Sequence, residues 1–572
     1  MKRNLLHLLV PVTALALSAC GTLGPNARNQ PFDYPQSDGF AGNFLAGKVA
    51  QGDNADDAAA QYLFRAQKLE PGNDDLRRRT FLALISDGRI ADSAPIARQL
   101  LAEQPQQDLF AVLAVTDADI RAKNYQAALD TINTLPNRGL NSIIRPLARA
   151  WLFTALDRRR DALAALDELQ INKSLSPLSE YHRGLILDYF GDLNGAEQAL
   201  ANAYGDPADA PLRAAEALGA IYERKGQNQK AELLYQSYMD RHPQSLAMPY
   251  HLERLKKGEP PISTALTPAS GLAEGYLDIA TLLSQENAVD PALIMARFSL
   301  SLRPGDAVTK LLVGEVMEIR KRWDDAIAIY TSIPKNSPHS WNARLREAAC
   351  LTEINRNDEA VALLRRMVSE RPDRPDALIQ LGDVLRATKQ FNPSADAYSR
   401  AIAQLGGAEN VGWRLLYRRG IAYEQGGEWD KAEKDFLLAL NMEPDQPYVM
   451  NYLAYSWVDR GVNFDKAQDM LKRAVELKPD DGYIVDSLGW VYYKLGHYEQ
   501  AVTELEHAVS LIPDDPTLND HLGDAYYQVG RIHEAEFQWH RALSFDPSAD
   551  LRKEVLAKLN GKKPATGTVA TN

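Results

Sequence analysis

The sequence predicts an all-α solenoid of about fourteen helical hairpins in two arrays, on the basis of three regularities. Small residues recur at intervals of about 34 along the chain, and a second small residue usually follows twelve positions later. Prolines often follow the second small residue, at the point where the second helix must end because proline has no N–H to donate. The clearest series of small positions is Ala280, Gly314, Ala348, Gly382, Gly420, Ala454, Gly489 and Gly523.

This pattern resembles the tetratricopeptide repeat, in which each unit is a pair of antiparallel helices. The small residues let the two helices approach closely, while larger side chains such as Tyr492 and Tyr526 fill the space between them. One hairpin buries only part of its apolar surface, so neighbouring hairpins cover the rest and the array becomes a superhelical solenoid. A less regular series in the first half of the chain comprises Gly47, Phe81, Val115, Ala150, Gly184 and Gly219.

The repeat is interrupted between Gly219 and Ala280, where the step is 61 residues. This stretch contains Pro260, Pro261 and Pro268, which a continuous helix does not tolerate. We therefore expect two arrays joined by an elbow, and whether the elbow acts as a hinge stays open. The predicted segments are a lipoprotein signal peptide at 1–19, a lipidated cysteine with a flexible tether at 20–39, an N-terminal array at 40–243, the irregular elbow at 244–271, a C-terminal array with a closing helix at 272–560, and a disordered tail at 561–572.

The first twenty residues carry an export signal. A basic start at Lys2 and Arg3 precedes an apolar run that is shorter than the roughly 20 residues a membrane helix needs. The run ends in Leu17–Cys20, a Leu-Ser-Ala-Cys tetrapeptide that resembles the lipobox of bacterial lipoproteins. The resemblance implies that Cys20 carries acyl chains such as palmitate and holds the protein on a membrane of the cell envelope. Gly21 favours the outer membrane, facing the periplasm; the inner membrane, or an ordinary signal peptide with an unrelated cysteine, is the alternative.

The composition argues against several classes of function. Loss of Lys2 and Arg3 with the signal changes the formal net charge from −12 to −14, and this acidic balance argues against nucleic acid as a partner. Cys350 is the one cysteine besides Cys20, so we expect no intrachain disulfide and a buried thiol. The sequence has no nucleotide-binding loop, zinc-binding His-Glu-x-x-His or nucleophile elbow. We therefore predict that the protein is not an enzyme and uses no cofactor and no metal.

Histidines crowd the last two predicted repeats, and imidazole is a common metal ligand. Their spacings do not place a compact pair on one helical turn, and no cysteine lies nearby. Solvated or partner-facing histidines are therefore the favoured interpretation, with a metal site as the alternative. These residues are His497, His507, His521, His533 and His540.

The inner face of the first helices is the predicted binding surface, because stacked first helices line a continuous groove in this architecture. Three residues before the small position stand Asn451, Asp486 and Asp520, whose side chains can hydrogen-bond an extended backbone. Aromatic anchors such as Trp490 add contact area at a low entropy cost. The alternative is that the aromatic residues only pack between repeats. The predicted groove comprises Tyr448, Asn451, Tyr455, Tyr483, Asp486, Trp490, Tyr493, Lys494, Asp520, Asp524 and Tyr527.

A lipid-tethered solenoid without a reactive centre is predicted to be a scaffold that binds periplasmic proteins. The layout is similar to that of proteobacterial tetratricopeptide lipoproteins that act as outer-membrane adaptors of carboxy-terminal processing proteases. This resemblance implies that the protein brings such a protease together with peptidoglycan hydrolases and so contributes to the control of cell-wall turnover. A pilotin-like lipoprotein that assembles outer-membrane or secretion components is the alternative, and self-association stays open.

Overall fold

The protein consists of α-helices joined by short turns in the computed structural model, which describes residues 39–103, 108–243, 245, 247–261 and 267–566. The predicted all-α fold of stacked helical hairpins is confirmed. Among the described helices, none combines the length and the apolar character needed to span a bilayer. Outside the described residues lie the predicted signal peptide, Cys20, nearly all of the tether, part of the elbow and the end of the tail.

The chain forms two compact units, and the first is Met1–Arg322. Its helices pair in order as hairpins up to α12, while α13 stands alone before the next pair, α14 and α15. Its helices are α1 (Phe40–Gly52), α2 (Asp56–Leu69), α3 (Asp74–Asp87), α4 (Ile90–Glu103), α5 (Leu109–Arg121), α6 (Tyr125–Asn133), α7 (Asn141–Ala155), α8 (Arg159–Gln170), α9 (Ser176–Tyr189), α10 (Leu193–Tyr204), α11 (Leu212–Arg224), α12 (Asn228–Arg241), α13 (Ala247–Lys256), α14 (Pro268–Gln285), α15 (Val289–Leu302) and α16 (Ala307–Ile319).

The second unit is Trp323–Asn572, and it repeats the same alternation of first and second helices. Its last helix, α30, has no partner helix and lies against the final hairpin. Its helices are α17 (Trp323–Thr331), α18 (Ser340–Glu353), α19 (Asn357–Glu370), α20 (Pro375–Ala387), α21 (Phe391–Gln404), α22 (Trp413–Gln425), α23 (Trp429–Met442), α24 (Pro447–Asp459), α25 (Phe464–Leu477), α26 (Gly482–Lys494), α27 (Tyr498–Leu511), α28 (Pro516–Gln528), α29 (Ile532–Ser544) and α30 (Ala549–Leu559).

The small repeat positions lie where the two helices of a hairpin approach most closely. A Cβ atom on Gly489 of α26 would stand 2.6 Å from Cγ of Leu505 on α27. The same atom on Gly523 of α28 would stand 2.5 Å from Nε1 of Trp539 on α29. These distances are too short for non-bonded heavy atoms, so a larger residue would force the helices apart. The period of 34 therefore has the packing origin that the sequence predicted.

Helices α14 and α15 lie against the first helices of their own unit, after the chain has passed the elbow. Helix α14 packs on α7 and α9, and α15 packs on α3 and α5. Gly271 allows the close approach, because a Cβ atom there would stand 2.3 Å from the ring of Trp151 on α7. At the other contact, Nε of Arg297 donates to the backbone carbonyl of Ser86, 3.1 Å away. The inner face of this array is therefore covered by its own chain.

Glu274 on α14 is the centre of a buried polar network that fixes this arrangement. Its side chain is 1% exposed, and its carboxylate accepts hydrogen bonds from Tyr181 at 3.0 Å, Arg213 at 2.9 Å and Arg303 at 3.2 Å. A buried carboxylate is tolerated only when such donors surround it. Tyr181 occupies the inner-face position that corresponds to Asp486 in the predicted groove. In the first unit, this position serves the internal packing of α14.

The compact units do not coincide with the two arrays expected from the sequence. The elbow was expected to divide the chain at 244–271, whereas the first unit continues to Arg322. The reason is that α14 and α15 bury their apolar surface against α3, α5, α7 and α9. Long-range packing, and not the interruption of the repeat, sets the boundary between compact units.

A continuous hydrophobic core runs through most of the second unit, from Ala395 to Val555. Val555 belongs to α30, which covers the apolar side of the last hairpin. The core place of α26 and α28 is taken by Tyr492 and Tyr526, which are buried as predicted. Cys350 is also buried, with 1% of its surface exposed, as the sequence predicted.

The fit of Gly271 against Trp151 yields a stability test. We expect Gly271→Ala to destabilise the first unit by about 1–3 kcal/mol, because the added methyl group overpacks the contact between α14 and α7. Gly305→Ala is the control, since no atom lies within 4 Å of a Cβ atom there. Thermal unfolding of the two variants measures the difference. Equal midpoints would show that α14 does not depend on this contact.

Candidate partner-binding groove

A pocket of about 370 Å³ lies on the inner face of the second unit. Its walls come from the first helices α22, α24, α26 and α28, so it crosses three repeat boundaries within one compact unit. We name it the concave pocket. Its lining residues are Glu424, Asn451, Tyr452, Tyr455, Ser456, Tyr483, Asp486, Ser487, Asp515, Thr517, Leu518 and His521.

The helix spacing of the sequence places the polar residues on this face. Asn451 and Tyr455 are four residues apart on α24, so they lie one above the other on the same side of the helix. Asp515 caps the N-terminus of α28, where its carboxylate accepts hydrogen bonds from the backbone N–H groups of Thr517 at 2.8 Å and Leu518 at 3.0 Å. This cap fixes the carboxylate of Asp515 at the rim of the pocket.

Asp486 and His521 form a buried polar contact in the wall of the pocket. Nδ1 of His521 donates to the carboxylate of Asp486, with distances of 3.0 and 3.1 Å to its two oxygens. Burial lowers the pKa of His521, but the carboxylates of Asp486, Asp520 and Asp524 together outweigh burial, so the pKa is raised overall. The His521 ring stacks on Trp490 with centroids 3.9 Å apart, and Trp490 stacks on Tyr493 at 4.7 Å. Stacked aromatic rings therefore lie behind the His521 side of the pocket.

Other groups of the pocket are hydrogen-bond acceptors. Oδ1 of Asn451 is enclosed and has no hydrogen-bond partner among the described residues. The carboxylate of Glu424 accepts from the hydroxyl of Tyr452 at 3.2 Å and from Arg460 at 3.5 Å. Burial, with a smaller contribution from the charge of Asp486, raises the pKa of Tyr455 to about 12. The pocket therefore presents acceptor oxygens and neutral tyrosines at neutral pH.

One repeat further along, the chain fills the corresponding position itself. Nζ of Lys558, on α30, donates to both oxygens of Asp520 at 2.9 Å and to Asp524 at 2.8 Å. Nε1 of Trp539 also donates to Asp524 at 3.0 Å. Burial and the neighbouring Asp520 raise the pKa of Asp524 to about 6. The two carboxylates are thus hydrogen-bonded within the unit and are not open to a partner.

The chain after α30 also returns to this face. The hydroxyl of Tyr493 donates to the backbone carbonyl of Ala565 at 2.6 Å and accepts from Gln528 at 3.2 Å. Pro564 is buried beside this contact. Pro564 and Ala565 thus contact the helical array, although they belong to the tail that the sequence predicted to be disordered. The remaining tail residues, 567–572, lie outside the described part of the chain.

The predicted groove residues separate into three groups. Asn451, Tyr455, Tyr483 and Asp486 meet in the concave pocket. Tyr448 lies in a neighbouring recess that it shares with Tyr483, and Trp490 stacks on His521 behind the pocket with Nζ of Lys494 5.0 Å from its ring centre. Tyr493, Asp520 and Asp524 are buried in contacts with the C-terminal segment, while Tyr527 lies beside Trp539 with ring centroids 5.9 Å apart.

Sequence reasoning missed Glu424, Asp515 and His521. Glu424 stands four residues after Gly420, the same offset that identified Tyr493, so the repeat register carried the signal for it. Asp515 precedes Pro516, a typical helix start, and was not connected with binding. His521 was expected to be solvated or partner-facing, but it is a buried, hydrogen-bonded wall residue of the pocket, 8% exposed. Among the described residues, no group of three or more His, Cys, Asp or Glu side chains is arranged to hold a metal ion.

Models of the tetratricopeptide repeat match residues 214–247, 319–381 and 489–530. The chain contains tetratricopeptide repeats. Together with the helical hairpins, these matches confirm the predicted solenoid fold, which typically serves as a non-catalytic scaffold for protein interactions. The third match covers α27, α28 and the last six residues of α26, and α26 and α28 line the concave pocket.

Two curated proteins are similar to parts of the chain. The TPR repeat-containing protein PA4667 of Pseudomonas aeruginosa is 26% identical over 163 residues, which cover 28% of this chain and 26% of that protein. Human tetratricopeptide repeat protein 13 is 24% identical over 161 residues, covering 27% of this chain and 18% of that protein. The similarity thus spans about a quarter or less of each relative's length.

Solved structures align with the chain at low sequence identity. The chain aligns with the anaphase-promoting-complex assembly Cut9–Hcn1 with a TM-score of 0.37 and 14% identity, covering 91% of this chain and 96% of the other. YrrB, described as a tetratricopeptide protein with an unusual peptide-binding site, aligns with a TM-score of 0.27 and 17% identity, covering 34% of this chain and 97% of its own.

The cluster around Lys558 generates a prediction. Lys558→Met leaves two buried carboxylates without their ammonium group, and we expect this to destabilise α28–α30 by about 3–5 kcal/mol at pH 7.5. The loss shrinks at pH 5, because the raised pKa of Asp524 lets the buried carboxyl bind a proton as the pH falls. Amide hydrogen exchange across α28–α30 measures both effects. Lys553→Met, an exposed change on the same helix, is the control, and equal protection in the two variants would contradict the prediction.

Proposed function

We propose that the protein is a scaffold of the bacterial cell envelope, anchored through acylated Cys20, and that its concave pocket holds an extended segment of a partner protein. The observation that carries the binding part of the proposal is the unequal use of the inner face in the two units. In the first unit, α14 and α15 cover it. In the second unit, the pocket stays open and its enclosed Asn451 acceptor has no partner among the described residues.

The composition of the pocket supports a protein segment as the ligand. Tyr483 is 54% exposed at the rim, and its neighbour Tyr455 is partly buried within the pocket. Tyrosine side chains combine contact area with hydrogen bonding at a low entropy cost. The contact from Tyr493 to the backbone carbonyl of Ala565 supports this interpretation, because there the same face already holds a non-helical segment through its main chain.

The finer proposal is that the partner is a carboxy-terminal processing protease and that peptidoglycan hydrolases are its clients. Its support is the combination of the lipobox that ends at Cys20 with a long repeat array. In this role the acyl chains hold the scaffold at the outer membrane, and the pocket positions the partner beside the cell wall. The repeats supply recognition surface, and the bound protease supplies the chemistry.

The anchor is tested separately from the groove. We expect Cys20→Ser to move the protein from the membrane fraction to the soluble periplasmic fraction, because the acylated side chain is lost. Incorporation of labelled palmitate into the unaltered protein, and its loss in Cys20→Ser, measures the modification directly. Cys350→Ser is the control for labelling, since that thiol is buried. Label that persists in Cys20→Ser would contradict the lipid anchor.

The partner is tested by photocrosslinking in intact cells. A photoreactive phenylalanine derivative replaces Tyr483 at the rim of the pocket, and in a second strain it replaces Phe537, which is 60% exposed on α29. We expect the first position to capture a processing protease or a cell-wall hydrolase that the second position does not. Secretin or barrel components at position 483 would instead support the assembly function. Identical adducts at both positions would contradict binding in the pocket.

Asn451→Ala then tests the contact itself in the strain with the crosslinker at position 483. We expect capture to weaken by about 1–2 kcal/mol, because the partner loses the Asn451 amide as a hydrogen-bond partner. Asn441→Ala, an exposed change on α23, is the matched control. The measurement is the yield of the crosslinked adduct, normalised to the expression level of each variant. An unchanged yield in Asn451→Ala would remove this residue from the binding surface.

A further inference from the structure

We propose that the concave pocket recognises a basic side chain, arginine or lysine, within the extended partner segment. This inference rests on the proposed function, since it specifies the chemistry of the segment that the pocket would bind. Three independent observations support it: the charge of the lining, the unpaired acceptor of Asn451, and the cation that the chain itself places one repeat further along.

The charge of the lining is strongly one-sided. Three carboxylates line the pocket, from Glu424, Asp486 and Asp515. His521 is the one basic residue among the described lining residues, and it is already bonded to Asp486. Arg460 lies outside the lining and forms an ion pair with Glu424 at 3.5 Å, so Asp515 is the lining carboxylate without a basic partner among the ion pairs described. An extended segment with a positive charge complements this surface, whereas an acidic segment would be repelled from it.

The hydrogen-bonding groups of the pocket match a donor. The enclosed Oδ1 of Asn451 can only accept, as can the three carboxylates. A guanidinium group carries five N–H donors and an ammonium group carries three, and neither has an acceptor. Tyr455 and Tyr483 add aromatic rings, on whose faces a cation is also stabilised. Both properties favour a cationic side chain over a neutral amide or a hydroxyl group.

The closing helix provides an internal precedent. Asp520 stands 34 residues after Asp486, at the same position of the next repeat. There the ammonium group of Lys558 enters the inner face, with 4% of its side chain exposed, and bonds both Asp520 and Asp524. The repeat therefore already binds a lysine at the equivalent place. At Asp486 the described part of the chain supplies the ring of His521 and no lysine, and the pocket beside this pair stays open.

The test is a selection of random peptides against the full chain carrying Cys20→Ser. A second selection uses the same chain with Glu424→Gln, Asp486→Asn and Asp515→Asn, which remove three charges and keep the side-chain shapes; asparagine also remains a good helix cap at 515. We expect the first pool to carry Arg or Lys at one fixed position. Representative peptides from it should bind the charge-removed chain at least about tenfold more weakly.

A matched control separates the pocket from the overall acidity of the chain. Asp430→Asn, Asp469→Asn and Glu499→Gln remove the same charge from exposed positions on the second helices α23, α25 and α27. We expect this control to bind the selected peptides as the unaltered chain does. A tenfold loss in the control as well would show a diffuse charge effect and overturn the proposal.

The remaining outcomes separate this inference from the proposed function. Selected peptides that lose binding with Asn451→Ala but carry no conserved Arg or Lys would overturn the basic side chain and keep the groove. A selection that enriches no peptide dependent on the pocket residues would contradict peptide binding there, and both proposals would fail. Equal binding of an arginine peptide and its Arg→citrulline counterpart would also overturn the inference, since citrulline keeps the shape and loses the charge.

Discussion

Close contact between the two helices of each hairpin is the constraint on which the rest of the structure depends. At Gly382, a Cβ atom would stand 2.5 Å from the ring of Tyr398, so the backbone of the first helix packs directly against a side chain of the second helix. Hairpins this compact leave apolar surface on their sides, which only another hairpin can cover. After stacking, the inner face of the first helices is the surface that neighbouring hairpins do not cover. What covers that face decides what each part of the protein can bind.

The protein covers the face in two regions and leaves a third region open. In the first unit, the α14–α15 hairpin places Glu274 among the donors Tyr181, Arg213 and Arg303. The inner face there binds a part of its own chain. At the end of the second unit, a single helix does the same with Lys558. Between α22 and α28 nothing in the described chain covers the pocket. The same kind of repeat thus gives a closed interior in one place and an open pocket in another, because the occupant of the inner face differs.

The sequence predicted the local part of this structure well and the distant part poorly. Gly489 and Tyr492 could be assigned because hairpin packing depends on neighbours at fixed offsets. The buried position of Glu274 could not be predicted, since its partner Tyr181 lies 93 residues away and no periodicity connects them. The buried position of Lys558 could not be predicted either, because a lysine on an amphipathic helix normally faces solvent. In the groove, the offsets identified Asn451 and Asp486, while only tertiary packing showed that Asp520 is already occupied.

The return of residues 268–302 to the first array affects the order in which the protein can fold. Synthesis from the N-terminus produces α3, α5, α7 and α9 before α14 and α15. During that interval the inner surface built around Trp151 and Tyr181 is bare, and the pairing that covers it must close over a span of more than ninety residues. This early half of the molecule therefore passes through a stage in which it needs protection from aggregation, while the later half can close hairpin by hairpin.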